Sequence, residues 1–214
     1  MRILVTAGPT REYIDPVRFI TNASSGRMGL AVAAAADGAG HRVALLHAAG
    51  MDVREAGEDV ERAAFVSVAD LKRLLHERFA ECDALVMVAA VGDFQVENRS
   101  PQKIPRRGGP ITLRLVPTED LLAGVAAGRR EGQRIVAFAV EDGPRDQVEA
   151  KARAELRSKG ADYVVVHRPE AMAAEASEAC ILLASGIVLP WGHRPKEELA
   201  AEIVAVQDCW TRLR

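Results

Sequence analysis

The chain has 214 residues, of which 49% are apolar and 27% are charged. This length and composition support a buried core and predict a single domain over residues 1–214. The formal net charge of −2 provides no overall basic field for a polynucleotide, so we expect no nucleic-acid partner. The longest apolar run, 84–91, is far shorter than the roughly 20 residues that span a bilayer, so we expect no membrane segment.

Cysteine usage and the first residues indicate the compartment. Cys82, Cys180 and Cys209 are odd in number, far apart and without a CxxC spacing, which argues against a disulfide framework and a structural zinc site. Met1 and Arg2 lead directly into a strand-like run rather than a secretory leader. We therefore expect a cytoplasmic protein whose fold starts at its first residue.

Short apolar runs alternate with longer Ala-rich amphipathic segments, a pattern typical of parallel strands joined by crossover helices. The predicted fold is therefore α/β, Rossmann-like and doubly wound, with a mainly parallel sheet. Buried-type strands are predicted at 2–6, 41–47, 64–68, 84–91, 135–140 and 162–167. Helices are predicted at 28–37, 69–80, 118–127, 145–158 and 196–213, and Thr118 is the expected cap of the third.

Two stretches interrupt this alternation. Residues 92–117 are too long and too charged for a simple connection, and we expect a flexible basic loop followed by an alternating strand at 111–116. Residues 180–184 and 187–191 flank Ser185 and Gly186 and predict a hairpin. This hairpin would add antiparallel strands at one edge of the sheet.

The first candidate site is the start of the helix predicted at 28–37. A turn containing Gly8 follows the first strand, and Ser24, Ser25, Gly26 and Gly29 surround the beginning of the helix. Backbone N–H groups and the positive end of a helix dipole favour a phosphate. The alternative is a serine-capped helix in which Gly29 permits close packing against the sheet.

Further candidates follow other strands. Asp93 comes after the most apolar strand, where ligands of open α/β sheets bind. The cations of segment 103–107 suit a polyphosphate, although a solvated basic turn explains them as well. Glu141 and Asp142 follow a later strand and could serve Mg²⁺, and Lys159 could reach a nucleotide. Solvent-facing helix caps are the alternative for this last group.

The chain closely resembles the phosphopantothenoylcysteine synthetase family of coenzyme A biosynthesis. The resemblance is carried first by segments 6–12, 15–22 and 24–29. It continues through segments 89–94, 103–104, 115–121 and 138–139. The resemblance implies a ligase that joins 4′-phosphopantothenate to L-cysteine through an acyl-nucleotide. The nucleotide would be CTP, as in most bacterial members, or ATP, as in many eukaryotic ones. Pyrophosphate and then CMP would be released, and Mg²⁺ would assist.

The resemblance also assigns roles. Lys103 would stabilise the triphosphate and the transition state, Asn22 would act on the acyl-nucleotide, and Arg18 would lie near the same centre. The phosphate and nucleotide site would comprise Gly8, Ser24, Ser25, Gly26, Gly29, Ala89, Ala90, Asp93, Phe138 and, from its position after a helix, Lys159. No residue is assigned as a metal ligand.

The family also implies an assembly. Its members are homodimers, and the arm that here contains 111–116 would pair two subunits. Many bacterial relatives carry a flavin-dependent decarboxylase domain ahead of this one. We expect no flavin on this chain, and a separate decarboxylase protein is a possible partner.

Departures from the family pattern leave alternatives open. The family's Lys-rich motif is replaced by Pro105, Arg106 and Arg107. Segments 140–142 and 172–178 differ from the family sequence, and His167 stands where the family usually has an amide side chain. These departures suggest a second hypothesis, kept as the alternative to the ligase: a degenerate nucleotide-binding paralogue with a regulatory or scaffolding role. A third, an NAD(P) reductase, lacks both the glycine-rich fingerprint and an acid after the second predicted strand.

Overall fold

The computed structural model describes residues 1–106, 108–172 and 174–211, and only the backbone of 171–172 and 207–211. Its strands are β1 (Arg2–Ala7), β2 (Arg11–Asp15), β3 (Arg18–Thr21), β4 (Arg42–Ala48), β5 (Glu61–Phe65), β6 (Ala84–Met87), β7 (Phe94–Val96), β8 (Leu115–Pro117), β9 (Arg134–Val140), β10 (Tyr163–His167), β11 (Ala176–Leu182) and β12 (Ile187–Pro195). Its α-helices are α1 (Arg27–Gly38), α2 (Val68–Phe79), α3 (Leu121–Ala127), α4 (Arg145–Lys159) and α5 (Lys196–Thr211).

The predicted Rossmann-like sheet is confirmed. Eight strands form one sheet in the order β12-β11-β10-β9-β6-β1-β4-β5. The six strands from β10 to β5 are parallel to their neighbours, whereas β11 and β12 are antiparallel and extend one edge. The chain moves outward from β1 through β4 to β5 and then returns to the other side of β1 as β6. The strand order therefore reverses between β1 and β6.

The sheet is covered on both faces because alternate side chains of each strand point to opposite sides. Ile3 and Val5 of β1 pack in the core formed with α1 and α5, whereas Leu4 packs in the core formed with α2, α3 and α4. All three side chains are fully buried. Such double burial explains why the central strands read as nearly continuous apolar runs.

Four local predictions are wrong. The strand predicted at 64–68 lies earlier, at Glu61–Phe65, because this outermost strand is largely exposed and carries polar residues. The helix predicted from 118 starts at Leu121, with Asp120 as its cap, and its side chain accepts from the N–H of Ala123. The strand predicted at 84–91 ends at Met87. Of the strand predicted at 111–116, only Leu115 and Val116 are extended and paired.

Two small ribbons, β2–β3 and β7–β8, lie outside the main sheet. The sequence patterns missed the first ribbon and strand β7 of the second. The hairpin at the sheet edge is confirmed and is longer than predicted. Cys82 and Cys180 are buried and free, as expected for core residues, whereas the side chain of Cys209 lies outside the described part. The predicted helix end at 212–213 and Arg107 also lie outside the described residues. In the described ranges, no helix has the length and apolar character needed to cross a bilayer.

Candidate functional site

A cleft of about 650 Å³ opens at the carboxyl ends of the parallel strands, beside the point where the strand order reverses. Four segments line most of it: 22–28 before and at the start of α1, 87–93 after β6, 118–122 around the start of α3, and 138–141 at the end of β9. Open α/β sheets bind their ligands at this position because the loops there diverge to opposite faces. The cleft is therefore the candidate functional site.

Nine of the thirteen residues predicted from the sequence line this cleft: Asn22, Ser24, Ser25, Gly26, Ala89, Ala90, Asp93, Phe138 and Lys159. Residues from four distant parts of the chain thus meet in one place. The remaining four, Gly8, Arg18, Gly29 and Lys103, are not among its lining residues. The chemical role assigned to each of the thirteen stays a prediction.

The loop before α1 does not form the serine cap that we considered. Gly26 is the N-cap residue, with a φ of 75° that favours glycine, and no side chain caps the helix. The Ser24 hydroxyl accepts instead from the N–H of Gly26, at 3.3 Å. The N-terminal end of α1 therefore faces the cleft with its backbone N–H groups and positive dipole end, an arrangement that favours an anion.

Gly8 and Gly29 support this loop from behind. A Cβ on Gly29 would lie 2.5 Å from the Cβ of Ala7 and 2.8 Å from the carbonyl oxygen of Thr6. Gly8 has a φ of 87°, and a Cβ there would lie 2.3 Å from the sulfur of Met51. Gly29 lets α1 approach the backbone of β1 closely, which is the packing role that the sequence left open for it, whereas Gly8 leaves room for the side chain of Met51.

Two buried threonines fix the wall made by residues 89–92, and the sequence patterns did not single them out. The Thr6 hydroxyl accepts from the N–H of Ala89 at 2.9 Å, and the Thr10 hydroxyl accepts from the N–H of Gly92 at 2.8 Å. The N–H of Ala90 donates to the carbonyl of Gly8 at 3.0 Å. These bonds to the β1 end hold the wall as a rigid surface, since each partner is itself buried or paired.

Asn22 and Asp93 belong to the same hydrogen-bonded frame. The side-chain amide of Asn22 donates to the carbonyl of Val91 at 3.1 Å. Thr118 donates its backbone N–H to the carbonyl of Asp93 at 2.9 Å and its hydroxyl to the carbonyl of Gly92 at 2.5 Å. Thr118 thus joins two walls of the cleft and does not cap α3, which is why a capping pattern misled the sequence prediction.

Across the cleft lie an ion pair and an aromatic contact. Lys159 at the end of α4 lies 3.5 Å from the carboxylate of Asp120. Phe138 contacts His167 edge to face, with ring centroids 6.1 Å apart. Burial lowers the pKa of His167, with a further contribution from the nearby Lys196 charge. The imidazole is therefore neutral near pH 7 and presents one N–H and one lone pair.

Lys196, at the start of α5, is a cleft residue that the sequence did not reveal as such. It is only 5% exposed and donates to the carbonyl of Ala174. Burial, together with the charge of Arg27, lowers the pKa of Lys196. A buried lysine at the first position of a helix has no sequence signature that distinguishes it from a solvated one, and only the packing of α5 reveals it.

Arg18 and the residue after Lys103 belong to a separate cluster around Asp15. The Arg18 guanidinium is 2.7 Å from the carboxylate of Asp15 and 3.1 Å from the carbonyl of Ile104, the residue after Lys103. Sequence reasoning placed both cations at the reacting centre but gave Asp15 no role. The structure shows that these two predicted residues share one anchor.

The described residues contain no group of three or more His, Cys, Asp or Glu side chains that could hold a metal ion. Glu141 pairs with Lys151 at 2.7 Å, and Asp142 accepts from the N–H of Gly143 at 2.8 Å. Glu141 also lines the cleft, but its carboxylate is already paired with Lys151. The other carboxylates of the lining, such as Asp93 and Asp120, are spread over several walls.

Comparison with known proteins identifies the family. The family model described as "DNA/pantothenate metabolism flavoprotein C-terminal domain" matches residues 1–208. The chain belongs to this family. The prediction made from its motifs is thereby confirmed at the level of the family and the fold.

Two curated relatives illustrate the similarity of this DNA/pantothenate metabolism flavoprotein C-terminal domain. A protein named "Coenzyme A biosynthesis bifunctional protein CoaBC" from Mycobacterium bovis is 39% identical over 216 residues, which cover 95% of this chain and 51% of the relative. A protein named "Cysteine/Cysteine sulfinic acid decarboxylase" from an unknown prokaryotic organism is 35% identical over 207 residues, covering 95% and 56%. The chain thus spans about half the length of the curated relatives it matches.

Solved structures agree on the fold of the family domain. The C-terminal domain of a Coenzyme A biosynthesis bifunctional protein CoaBC superposes with a TM-score of 0.80 at 28% identity and covers 100% of this chain and 98% of that chain. The structure titled "Cab2 mutant H337A complex with phosphopantothenate-cysteine" superposes with a TM-score of 0.78 at 18% identity, covering 99% and 87%. The second likeness shows the fold alone.

Proposed function

We propose that this chain acts in coenzyme A biosynthesis as a ligase that joins 4′-phosphopantothenate to L-cysteine and consumes a nucleoside triphosphate, preferentially CTP. The observation that carries this proposal is the convergence of Asn22, the α1 N-terminus, Asp93, Phe138 and Lys159 on one cleft. The cleft occupies the ligand position of its fold. The names of the 39% identical relative and of the structure with bound phosphopantothenate-cysteine point to the same chemistry.

The first half-reaction makes the carboxylate a better acyl donor. A carboxylate oxygen of 4′-phosphopantothenate attacks the α-phosphorus, a new P–O bond forms, and the bond to the β-phosphate oxygen breaks so that pyrophosphate leaves. Two anions must approach each other, so fixed positive charge lowers the barrier. The N–H groups and dipole of α1, together with Lys159, would supply part of that charge, and Lys103 would supply more.

The second half-reaction forms the amide. The neutral amine of cysteine attacks the acyl carbon, a C–N bond forms, and the C–O bond to the nucleoside monophosphate breaks. The proton lost by the nitrogen leaves with the monophosphate or passes to solvent. Asn22 is held against the carbonyl of Val91, and in this proposal its fixed side chain orients the acyl-nucleotide. Holding the reactants together provides a large share of the rate.

Magnesium would enter with the triphosphate. Mg²⁺ characteristically binds phosphates together with one or two carboxylates and several waters, so it needs no cluster of protein ligands. Asp93 lines the cleft in the segment that follows β6, and in this proposal it would contribute a carboxylate. When bound, the ion would offset the triphosphate charge. We expect turnover to stop with excess chelator and to return with added Mg²⁺.

The decisive experiment combines the purified chain with 4′-phosphopantothenate, cysteine, Mg²⁺ and either CTP or ATP, and measures pyrophosphate release. We expect release that depends on all components and is faster with CTP. Calorimetric binding of a triphosphate without turnover would contradict the proposal and support a degenerate nucleotide-binding protein, the alternative suggested by segments 140–142 and 172–178. Absence of both binding and turnover would contradict both hypotheses.

Two variants test the assigned roles. Lys103→Gln should lower the turnover by about tenfold or more while leaving stability unchanged, because an exposed loop lysine contributes little to the core. Arg73→Gln is the matched control, because Arg73 is an exposed cation of α2 that pairs with Glu77. Wild-type turnover in Lys103→Gln would remove Lys103 from the mechanism.

Asn22→Asp should slow the second half-reaction, so that the acyl-nucleotide accumulates. An aspartate at this position cannot donate to the carbonyl of Val91, and its charge would repel that oxygen. Asn98→Asp, at an exposed position next to Glu97, is the control. Quenched-flow analysis of the intermediate measures the effect, and normal consumption of cysteine would contradict the role.

We also propose that the active form is a homodimer. Phe94, Ile111 and Leu115 on and beside the β7–β8 ribbon are 52%, 62% and 43% exposed. Apolar side chains grouped on a ribbon outside the main sheet suit a protein–protein contact. Leu115→Glu should shift the protein toward the monomer in analytical ultracentrifugation, and an unchanged mass would place the contact elsewhere.

A further inference from the structure

A buried carboxylate joins the β2–β3 ribbon to the segment that carries Lys103. Asp15 is fully buried at the end of β2. Its Oδ1 accepts from the backbone N–H groups of Val17 and Arg18, both at 2.9 Å. Its Oδ2 accepts from the guanidinium of Arg18 at 2.7 Å and from the N–H of Ile104 at 3.1 Å. Four donors therefore converge on one side chain.

Arg18 completes the connection from the other side. The same Nη1 that contacts Asp15 also donates to the carbonyl of Ile104 at 3.1 Å. Both backbone polar groups of Ile104 are thus hydrogen-bonded, its N–H to the Asp15 carboxylate and its C=O to the Arg18 guanidinium. Burial alone would raise the pKa of Asp15, but the N–H groups of Val17, Ile104 and Arg18 and the Arg18 charge together lower it below the ordinary value. The carboxylate is therefore charged at neutral pH.

The segment before Lys103 is attached to the same ribbon. The N–H of Ser100 donates to the carbonyl of Ile14 at 2.9 Å, and the guanidinium of Arg99 lies 5.1 Å from the ring centroid of Tyr13. Lys103 itself is exposed, so packing restricts its side chain little. Its backbone position depends on the anchors on either side, at Ser100 and Ile104.

We propose that Asp15 is a positioning residue for Lys103, acting through the backbone of Ile104. This inference rests on the proposed function, because it assigns Lys103 the task of meeting the triphosphate. A long lysine on an unanchored loop would visit many positions, and anchoring the adjacent peptide removes most of that freedom before the ligand arrives. The hydrogen-bond donors to Asp15 lie in the ribbon, the turn that joins its strands and the loop, so its effect is directed to Lys103 more than to the sheet.

Kinetics of single and double variants test the coupling. Asp15→Asn retains the shape of the side chain but loses the charge and one acceptor oxygen. We expect its kcat to fall about tenfold or more, since small displacements of a reacting group cost that much. In Asp15→Asn/Lys103→Gln the loss should not exceed that of Lys103→Gln alone. Multiplicative losses would show that Asp15 acts independently of Lys103 and would overturn the proposal.

A second readout does not depend on activity. Trypsin cleaves after Lys103, and mass spectrometry identifies that bond among the others. Release of Ile104 in Asp15→Asn should raise the rate of this cleavage in the native protein about tenfold, because local opening controls the proteolysis of a folded chain. An unchanged rate would contradict the anchor, even if the wild-type chain showed no ligase turnover. Failure of the proposed function is thus distinguishable from failure of the inference.

Asp162→Asn is a chemically matched control. Asp162 also accepts from a backbone N–H, that of Ile135 at 2.8 Å, and from the guanidinium of Arg129 at 2.6 Å, but it does so at the opposite end of the sheet. We expect this variant to lose stability while keeping its kcat and its cleavage rate at Lys103. If Asp15→Asn does not fold, Arg18→Lys weakens the same anchor and should raise the cleavage rate about threefold or more. An unchanged rate there would overturn the proposal.

Discussion

Gly29 allows the strongest test of how α1 is held at the cleft. It is the third residue of α1 and faces the end of β1 at close range. A Cβ added at this position would lie 2.5 Å from the Cβ of Ala7, 2.8 Å from the carbonyl oxygen of Thr6 and 2.9 Å from the Cα of Ala7. These atoms belong to the backbone or adjoin it in a central strand, so no flexible side chain can move away.

The expected size of the effect follows from two opposing terms. Alanine is a better helix former than glycine by up to about 1 kcal/mol. Overpacking a fixed interface costs about 1–3 kcal/mol, and contacts this short call for the upper part of that range. We therefore expect Gly29→Ala to lose about 2 kcal/mol of unfolding free energy. The start of α1 must also move away from β1, so triphosphate affinity should fall as well.

Gly124→Ala provides the matched control. Gly124 lies inside α3, and among the described residues a Cβ there would meet nothing outside its own helix within 4 Å. Only the propensity term applies, so this variant should gain about 0.5–1 kcal/mol. Urea unfolding of both variants, compared at equal m-value, measures the difference. If Gly29→Ala is as stable as Gly124→Ala, the close approach of α1 to β1 does not govern stability, and the reasoning is refuted.

Three other predictions concern the rest of the chain. Ser67→Ala removes the hydroxyl that accepts from the N–H of Asp70 in the α2 capping box, and thermal or urea unfolding should show a loss of about 1 kcal/mol; wild-type stability would contradict the cap. Burial lowers the pKa of His167 below its ordinary 6.5 in the folded protein, so the unfolded chain takes up the proton at a higher pH than the folded chain does. The free energy of unfolding should therefore fall as the pH drops through about 6.5 toward the folded-state pKa. A His167→Gln variant should lack that component of the pH dependence. Burial raises the pKa of the Cys82 thiol and raises that of the Cys180 thiol to about 12. Peptide mapping after alkylation at pH 8 should therefore find both cysteines unmodified until the protein unfolds. Rapid labelling of the native protein would contradict their burial.

The central sheet could be predicted from the sequence because each of its inner strands is buried on both faces. Uniform burial leaves an uninterrupted apolar run, as in β9 and β10, and such runs differ clearly from amphipathic helices. The outermost strand β5 and the ribbons β2–β3 and β7–β8 lack that pattern. Their residues are largely exposed or partly buried, so their hydropathy does not differ from that of a loop.

The candidate site was predictable to the extent that its residues followed strands or preceded a helix. Asn22, Asp93 and Phe138 satisfy that condition, and the structure brings them to one cleft. Thr6 and Lys196 lie within the predicted strand 2–6 and helix 196–213, and nothing in the sequence distinguishes Thr10 from the other residues of its turn. The two threonines act through hydrogen bonds to residues more than 80 positions away, and such pairings depend on which strands become neighbours. The spacing of residues in the sequence does not indicate which strands will be neighbours in the sheet.

The candidate site residues fall into two structural groups, the wall at 89–92 and the cluster that contains Arg18 and the Lys103 segment, and substitutions in the two groups should have different effects. The wall formed by residues 89–92 is hydrogen-bonded to buried groups of β1 and of the turn that follows it. Substitutions in this wall therefore disturb the sheet as well as ligand binding. Arg18 and Lys103 instead depend on a ribbon that is joined to the loop mainly through Asp15, Ile14 and Tyr13. Local opening of a ribbon costs less than opening of the core. Substitutions in the ribbon should therefore separate turnover from stability, whereas substitutions in the wall should lower both together.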